Sequence, residues 1–478
     1  MTDGLRSPDT WREGLGHTPA AAWPSAFSSM LAFRRHLRGS RAEIIAFQNR
    51  RLRRIVAHAY TNVPYYRRLF DQTGVMPRHI RTVSDLERIP ITSKSDLRGV
   101  PLDQLLAKGV NPTTLIEHTT GGSTGEPFTV RRAWIEERVL GELRRRTLRL
   151  YGATSRSLVV VATFHHRPHR NENRLAEVVL NAFGRYRARS LFCLEPPESL
   201  LQQFDDLAPD VIGGYAGVLL RLAHVITKSG RAVHAPQFVL SGGEVLTTNA
   251  ARRISMAFRA PVYDTYGSHE FSRIAWECAD TGEYHRCDDG VITEVLSGDE
   301  PVQPGETGEL VGTALHSYAM PFIRFRLADV VTRGSDVCDC GQPFSTLRGI
   351  QGRVVDYFTM PDGSLLHPYV LAHALRDHGV AWVAQYQLIQ EDVRRIVMRA
   401  VPARSPSEDE IASVKRNVAA VVGDSVTVEL EIVPDLALGE RGKFRVYRSF
   451  VPGIHADDQE TLQSIAENRA FSSGSADV

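Results

Sequence analysis

The 478-residue sequence has no apolar run near the roughly 18–20 residues that a membrane-spanning helix requires, so an integral membrane helix is not expected. Its first residues, MTDGLRSPDTWREG, lack the basic-then-apolar layout of a secretory signal, and cytoplasmic residence is the expectation. Cysteine is sparse: five in the whole chain do not make a disulfide framework, which leaves free thiols or metal ligands. Charge of either sign is not in excess. With 57 Lys and Arg against 55 Asp and Glu, the net charge is +2, and the basic footprint of a nucleic-acid binder is missing. The arginine clusters Arg50–Arg54 and Arg144–Arg146 fall in helix-like stretches and read as solvated faces. Repeats and low-complexity tracts are absent, and no Gly-Lys-Ser/Thr of a P-loop follows any glycine-rich stretch.

What is present is an α/β rhythm. Residues 1–40 read as irregular, and the tail from Phe471 reads as frayed. Ser157–Phe164 is an almost unbroken apolar run, the pattern of a strand buried on both faces. Short apolar runs at Val211–Ile212, Phe238–Leu240 and Pro261–Tyr263 each lead to glycine turns, with a helical stretch at Leu219–Thr227. In such sheets ligands sit beyond the carboxyl ends of the strands. The last hundred or so residues differ. Trp382–Gln390 and Arg394–Ala400 read as strands, and Ser407 with Glu410 forms a capping-box signal. Ile411, Val414, Val418 and Val421 then share one helical face, and Val426–Ile432 alternates as a half-buried strand. The predicted organisation is a large α/β unit over 1–352 with mixed sheets and flanking helices, and a small mobile α+β unit over 353–478, joined near Gly352–Asp356.

Thr119–Pro127 reads TTGGSTGEP. Its glycines let backbone approach an anion and turn N–H groups inward, and its hydroxyls add uncharged donors. That chemistry suits a polyphosphate; composition alone suits a flexible connection equally well.

This string resembles the Thr/Ser/Gly-rich loop of the ANL adenylate-forming superfamily, in its phenylacetate–CoA ligase-like branch. Further segments resemble that branch in the same order: Arg51–Pro77, Ile89–Leu97, Ser241–Glu244, Tyr263–Glu270, Ile323–Val330, Gly352–Asp356 and Gly442–Arg445. The resemblance covers roughly residues 45–450 and rests on the ordered series rather than on one motif. It implies that Thr120, Gly121, Gly122, Ser123, Thr124 and Gly125 hold the phosphates of ATP. It places Gly243, Glu244, Asp264 and Gly267 around the nucleotide, with Tyr266 packed on adenine. Ser268 would approach the α-phosphate or the substrate carboxylate, and Glu270 would hold Mg²⁺, a hard cation that favours carboxylate oxygen. Asp329 would accept the ribose hydroxyls, and Arg353, at the start of the hinge, would approach ribose and phosphates. Lys443, in Gly-Lys-Phe-Arg, would be carried by the small unit into the cleft, where a cation offsets the repulsion between carboxylate and phosphate. Val355 stands where related hinges carry an aspartate.

Cys278, His285, Cys338 and Cys340 offer three thiols and an imidazole, a set suited to tetrahedral Zn²⁺, with Cys287 as an alternative to His285. Relatives in this branch carry a structural zinc in these segments. Cys193 reads as a core residue. Phe164, His165 and Tyr215 follow expected strand ends and are candidates to line an acyl pocket.

The function implied is ATP-dependent activation of a carboxylic acid, aromatic by analogy, as acyl-AMP with release of pyrophosphate. Transfer to a thiol such as CoA would follow. An amine or other nucleophile as acceptor, and a non-catalytic nucleotide-binding scaffold, are the alternatives. ATP, Mg²⁺, a structural zinc and CoA are the implied cofactors or co-substrates. The partners are small molecules, without nucleic acid or membrane, and a homodimer is the family-level expectation.

Overall fold

A computed structural model describes residues 29, 31–119, 128–163, 187–193, 195–353, 358–362, 365–366, 371, 375, 382–436 and 447–451. The loop 120–127, Phe164, His165 and Lys443 lie outside the described residues, as does the side chain of Arg353.

The helices α1 (Arg41–Asn62) and α2 (Pro64–Thr73) open the large unit. Ser40 caps α1 in a reciprocal pair with Glu43, and Pro64 starts α2 where its missing N–H costs nothing. Residues 31–36 are also helical, so the expected irregular start is shorter than 40 residues. The short helix α3 (Lys94–Arg98) is capped by Ser93 and Asp96. Strands β1 (Ile116–Thr119) and β2 (Thr129–Arg132) pair antiparallel, with Thr119 opposite Thr129, and so bracket the glycine-rich segment in sequence. Helix α4 (Trp134–Leu150) follows.

A sheet of 12 strands dominates. Its parallel part comprises β3 (Leu158–Thr163), β4 (Arg187–Phe192), β5 (Val211–Gly214), β6 (Phe238–Gly242) and β7 (Val262–Ser268), in the order β4-β3-β5-β6-β7. Helices α5 (Pro197–Leu207), α6 (Ala216–Ser229) and α7 (Thr248–Phe258) connect them. The chain leaves β3 toward one edge and returns to the other side at β5, a topological switch of the kind that opens a crevice at the carboxyl ends. From β7 on, pairing is antiparallel through β8 (Ser272–Glu277), β9 (Tyr284–Arg286), β10 (Val291–Ser297), β11 (Glu300–Pro301), β12 (Thr307–Ala314), β13 (Phe325–Arg333) and β14 (Thr346–Arg353). One sheet therefore joins a buried parallel half to an antiparallel half that carries the later motifs.

Two large core clusters serve this unit, with a smaller one around Val159, Val211 and Phe238. One gathers α1, α2, α4 and the antiparallel strands around Phe70, Phe271, Trp276 and Phe325; the other packs α5–α7 on the parallel strands around Phe204, Leu219 and Phe258. Arg51 and Arg146 depart from the solvated faces expected of their clusters, both being buried. Arg146 donates to both oxygens of the buried Asp289 and lies over Trp276 and Phe344, so its charge is paired inside the core. Arg51 lies over Phe47 and donates to Ser29.

After a short pair, β15 (Phe358–Thr359) and β16 (Leu365–Leu366), a separate sheet forms in the order β19-β18-β17-β20. Its strands are β17 (Val383–Asp392), β18 (Arg395–Pro402), β19 (Thr427–Ile432) and β20 (Tyr447–Ser449), and α8 (Glu408–Val422) packs against it. Ser407 and Glu410 form the capping box read from the sequence. The buried face of α8 runs through Val414, Val418 and Val422, with Val421 only packed against its edge. Strand β19 is an edge, and Ile432 is exposed rather than half-buried. This unit touches the large one where Arg253 donates to the Val383 carbonyl and where Arg221 meets Asp435 at 3.4 Å.

Candidate active site

Strands β5, β6 and β7 are parallel neighbours, so their carboxyl ends lie side by side on one edge of the sheet. At the end of β5, Tyr215 meets the turn after β6. Gly243 has φ of +79°, and a Cβ there would lie 3.0 Å from Tyr215 Cε1, so this turn is built for glycine on two counts. Glu244 accepts from the Gly217 N–H at the start of α6, which ties the same turn to the helix that follows β5.

Strand β7 supplies the densest group. The Asp264 N–H donates to Glu277 (2.7 Å), and Asp264 Oδ2 accepts from the Tyr284 hydroxyl (2.9 Å). Asp264 is buried, which pushes its pKa up, and Oδ1 has no partner with hydrogen-bond geometry. Tyr266 donates to Asp329 Oδ2 at 2.6 Å, joining β7 to β13 across the sheet. The pairing of β12 with β13 shifts register just before Asp329, and Ala328 has φ of +60°; such a bulge re-aims the side chain that follows. Asp329 also stands opposite Arg353 in the β13–β14 ladder.

Past β7, a turn carries Ser268, His269 and Glu270. A Cβ on Gly267 would lie 2.3 Å from the Ser272 carbonyl oxygen, so this tight crossing needs glycine. Ser268 accepts from the Phe271 N–H, and Arg132 donates to the His269 carbonyl. Glu270 is only 1% exposed, and its carboxylate meets the Lys94 ammonium at 2.9 Å. Burial works against its charge, but Lys94 outweighs burial and holds the carboxyl below its usual range. Lys94 reaches this point because Thr92 bridges to Phe325, exchanging backbone bonds with Arg324 and Arg326, so the segment leading into α3 is laid along the start of β13. Beside the turn, Glu137 gathers His118 (3.2 Å), Arg132 (3.2 Å) and Arg144 (2.6 Å). Burial opposes ionisation of Glu137, but His118 and the two guanidinium groups hold its carboxyl far below the usual range.

Sequence reasoning passed over Lys94, Glu277 and Tyr284. The Ser-Lys-Ser-Asp capping signal locates the helix that Lys94 opens, yet nothing in the chain's order reveals the partner it meets. A cavity of about 1160 Å³ lies elsewhere, lined by Arg41, Arg286, Glu294, Arg324 and Arg326 among others, and none of Asp264, Tyr266, Glu270 or Asp329 lines it. Its charges pair among themselves, as in Arg41 with Asp288 and Arg324 with Glu294.

The structure gathers Cys278, His285, Cys338 and Cys340 so that their ligand atoms all lie within 4.8 Å of one another. Cys278 and Cys338 are 3.9 Å apart at sulfur, and Cys340 Sγ is 3.5 Å from His285 Nε2. A tetrahedral ion with ~2.3 Å bonds to sulfur and ~2.0 Å to nitrogen requires edges of about 3.8 Å and 3.5 Å. His285 is fully buried, which lowers its pKa to about 4 and keeps the ring neutral, as a metal ligand must be. The set can hold a metal ion. Cys287 stands apart, with Arg146 donating to its sulfur, and Cys193 is buried in the core.

Among the described residues, no helix is long and apolar enough to cross a membrane. Residues 358–449 match the family model described as the CapK C-terminal domain. The chain is 28% identical over 329 residues to the phenylacetate-coenzyme A ligase of Thermus thermophilus, covering 66% of this chain and 72% of that protein. It is 28% identical over 313 residues to the phenylacetate-coenzyme A ligase of Escherichia coli K12, covering 60% and 67%. Among solved structures, 2-hydroxyisobutyryl-CoA ligase in its postadenylation state shares the fold, with a TM-score of 0.71 at 22% identity over 92% of this chain and 94% of that one. By sequence the chain is similar to phenylacetate–coenzyme A ligases, and it shares the fold of an adenylate-forming CoA ligase.

Proposed function

We propose that this chain is an AMP-forming acid–CoA ligase. It activates a carboxylic acid, aromatic by the likeness to phenylacetate ligases, as an acyl-AMP with release of pyrophosphate, and passes the acyl group to the thiol of CoA. The observation that carries this reading is the meeting of Asp264, Tyr266, Glu270 and Asp329 at the carboxyl end of β7, through the Tyr266–Asp329 bond and the Ser268–Glu270 turn. These are the types of group that an adenylate needs: an aromatic for the base, a carboxylate for two ribose hydroxyls, and a buried carboxylate for a cation on phosphate.

In this reading the loop 120–127, tethered by β1 and β2, cradles the β- and γ-phosphates. Tyr266 packs on adenine between Gly243 and Glu244 on one side and Asp264 on the other. Asp329 and Arg353 hold the ribose. Ser268 orients the α-phosphate or the acid, and Glu270 holds Mg²⁺. When bound, magnesium neutralises phosphate charge and steadies the leaving pyrophosphate. Lys443, carried by the small unit 353–478, bridges carboxylate and α-phosphate as the two anions approach. Tyr215, at the end of β5 and against Gly243, lines the acyl side of the cleft together with Phe164 and His165. Rotation of the small unit after adenylation would free the cleft for the thiol.

We assign Zn²⁺ to Cys278, His285, Cys338 and Cys340. Four protein ligands leave no open position, so the ion is structural. The test of the whole reading is a panel of carboxylic acids offered with ATP and Mg²⁺, with pyrophosphate followed and the products identified by mass with CoA present or withheld. Acid-dependent AMP and pyrophosphate, and an acyl-CoA only when CoA is added, are expected. Acid-dependent AMP without acyl-CoA would move the acceptor to another nucleophile.

A further inference from the structure

The metal cluster and the nucleotide side of the cleft meet on adjacent residues. Glu277 ends β8 and immediately precedes Cys278; Tyr284 opens β9 and immediately precedes His285. Successive side chains on a strand point to opposite faces, so a ligand on one face fixes its neighbour on the other. Both neighbours act on one residue. Glu277 accepts from the Asp264 N–H at 2.7 Å, and the Tyr284 hydroxyl donates to Asp264 Oδ2 at 2.9 Å. The remaining ligands reinforce this geometry, because Cys338 and Cys340 lie in the loop that leads into β14, and β14 pairs with β9 at Thr346–His285 and Leu347–Tyr284. With Oδ2 and its backbone held, Asp264 keeps Oδ1 buried and without a partner in hydrogen-bond geometry among the described residues, although the Ser241 hydroxyl and the Thr265 N–H lie near the carboxylate. A buried acceptor left unpaired is costly unless a donor arrives, so its presence calls for an explanation such as a ligand.

We propose that Glu277 and Tyr284 are positioning residues that couple the Cys278–His285–Cys338–Cys340 cluster to purine recognition, by holding Asp264 with Oδ1 free to accept from the exocyclic amine of adenine. This rests on the adenylation and zinc readings above. An adenine offers a donor at the 6-position of the ring where a guanine offers an acceptor, so the coupling acts on base discrimination and not merely on stability.

The experiment compares the metal-loaded wild-type chain with Tyr284→Phe, Cys338→Ser and their combination. It measures metal per chain by elemental analysis, and AMP and GMP affinity by calorimetry. Tyr284→Phe removes one hydroxyl. It is expected to retain the metal, to weaken AMP about tenfold, the scale of one lost hydrogen bond, and to leave GMP unchanged. Cys338→Ser is expected to lose the metal and to weaken AMP in the same direction, with little further loss when Tyr284→Phe is already present. Glu277→Gln, which keeps an acceptor for the Asp264 N–H, should stay near wild type. A Tyr284→Phe chain with metal bound and an unchanged AMP-to-GMP ratio would overturn this inference alone. A wild-type chain that carries no metal would overturn it together with the zinc assignment, and a wild-type chain that binds no AMP would overturn the adenylation reading itself.

Discussion

The Lys94 ammonium lies 2.9 Å from the Glu270 carboxylate, although one opens helix α3 and the other lies in the turn after β7. Glu270 is 1% exposed and Lys94 23%, so the carboxylate is sealed in protein while its partner keeps one side toward solvent. The pair keeps a candidate cation ligand charged inside a low-dielectric wall.

Lys94→Met is expected to destabilise the fold by about 2–3 kcal/mol, below the value for a fully buried pair because Lys94 is partly solvated. The pH dependence has a definite sign. The Glu270 pKa is held below the ordinary glutamate value, so its contribution is present above that value and lost as pH falls through the lower folded pKa. Melting temperature measured across pH 3–7 should therefore show a larger deficit for the variant near neutrality than at the acid end. An equal deficit at every pH would mean that the pair is not the source.

Arg146→Met should be more damaging. It leaves Asp289, fully buried, with the His36 ring at 2.9 Å and the Cys287 thiol at 4.0 Å. Burial opposes the charge on Asp289, but Arg146 overcomes it and lowers the pKa to about 2. Removing one member of such a pair costs about 3–5 kcal/mol, read as a shift in denaturation midpoint. A loss under about 1 kcal/mol would show that the aromatic cage of Trp276, Phe344 and Phe33 holds the region unaided.

Gly243→Ala tests the turn between β6 and α7. A left-handed backbone costs a non-glycine residue about 1–2 kcal/mol, and the added Cβ would press on Tyr215 at 3.0 Å. Nucleotide affinity should fall by more than the stability loss explains, because Gly243 and Tyr215 meet on the proposed nucleotide side of the sheet. A variant that binds AMP normally would remove this turn from the nucleotide wall.

Much of the architecture was legible because local patterns carried it. The apolar run at Ser157–Phe164, the glycine turns after Ile212 and Leu240, and the Ser407–Glu410 cap all correspond to elements with small boundary shifts. Burial inside helices was less legible. Arg51 and Arg146 sit in strings of arginine that look solvated, and only their distant partners, Ser29 for one and Asp289 for the other, draw them inward. The same limit hid the pairs at the site. Motif order located Glu270, Asp264 and Asp329 one by one, but the contacts with Lys94, Tyr284 and Tyr266 depend on strand order and on the bulge in β13, which no local pattern encodes. The metal set was legible as residue types, and the choice between His285 and Cys287 required the fold, which turns Cys287 toward Arg146.

The proposed chemistry puts Lys443 in the transition state of acyl-adenylate formation. The direct measurement is acid-dependent release of AMP and pyrophosphate from ATP by the wild-type chain and by Lys443→Ala, at matched metal content. AMP and pyrophosphate are expected with a suitable acid, with a loss of at least about a hundredfold in the variant, the scale of losing a transition-state charge partner. Release of ADP and phosphate by the wild-type chain, or a near-normal rate in Lys443→Ala, would contradict it.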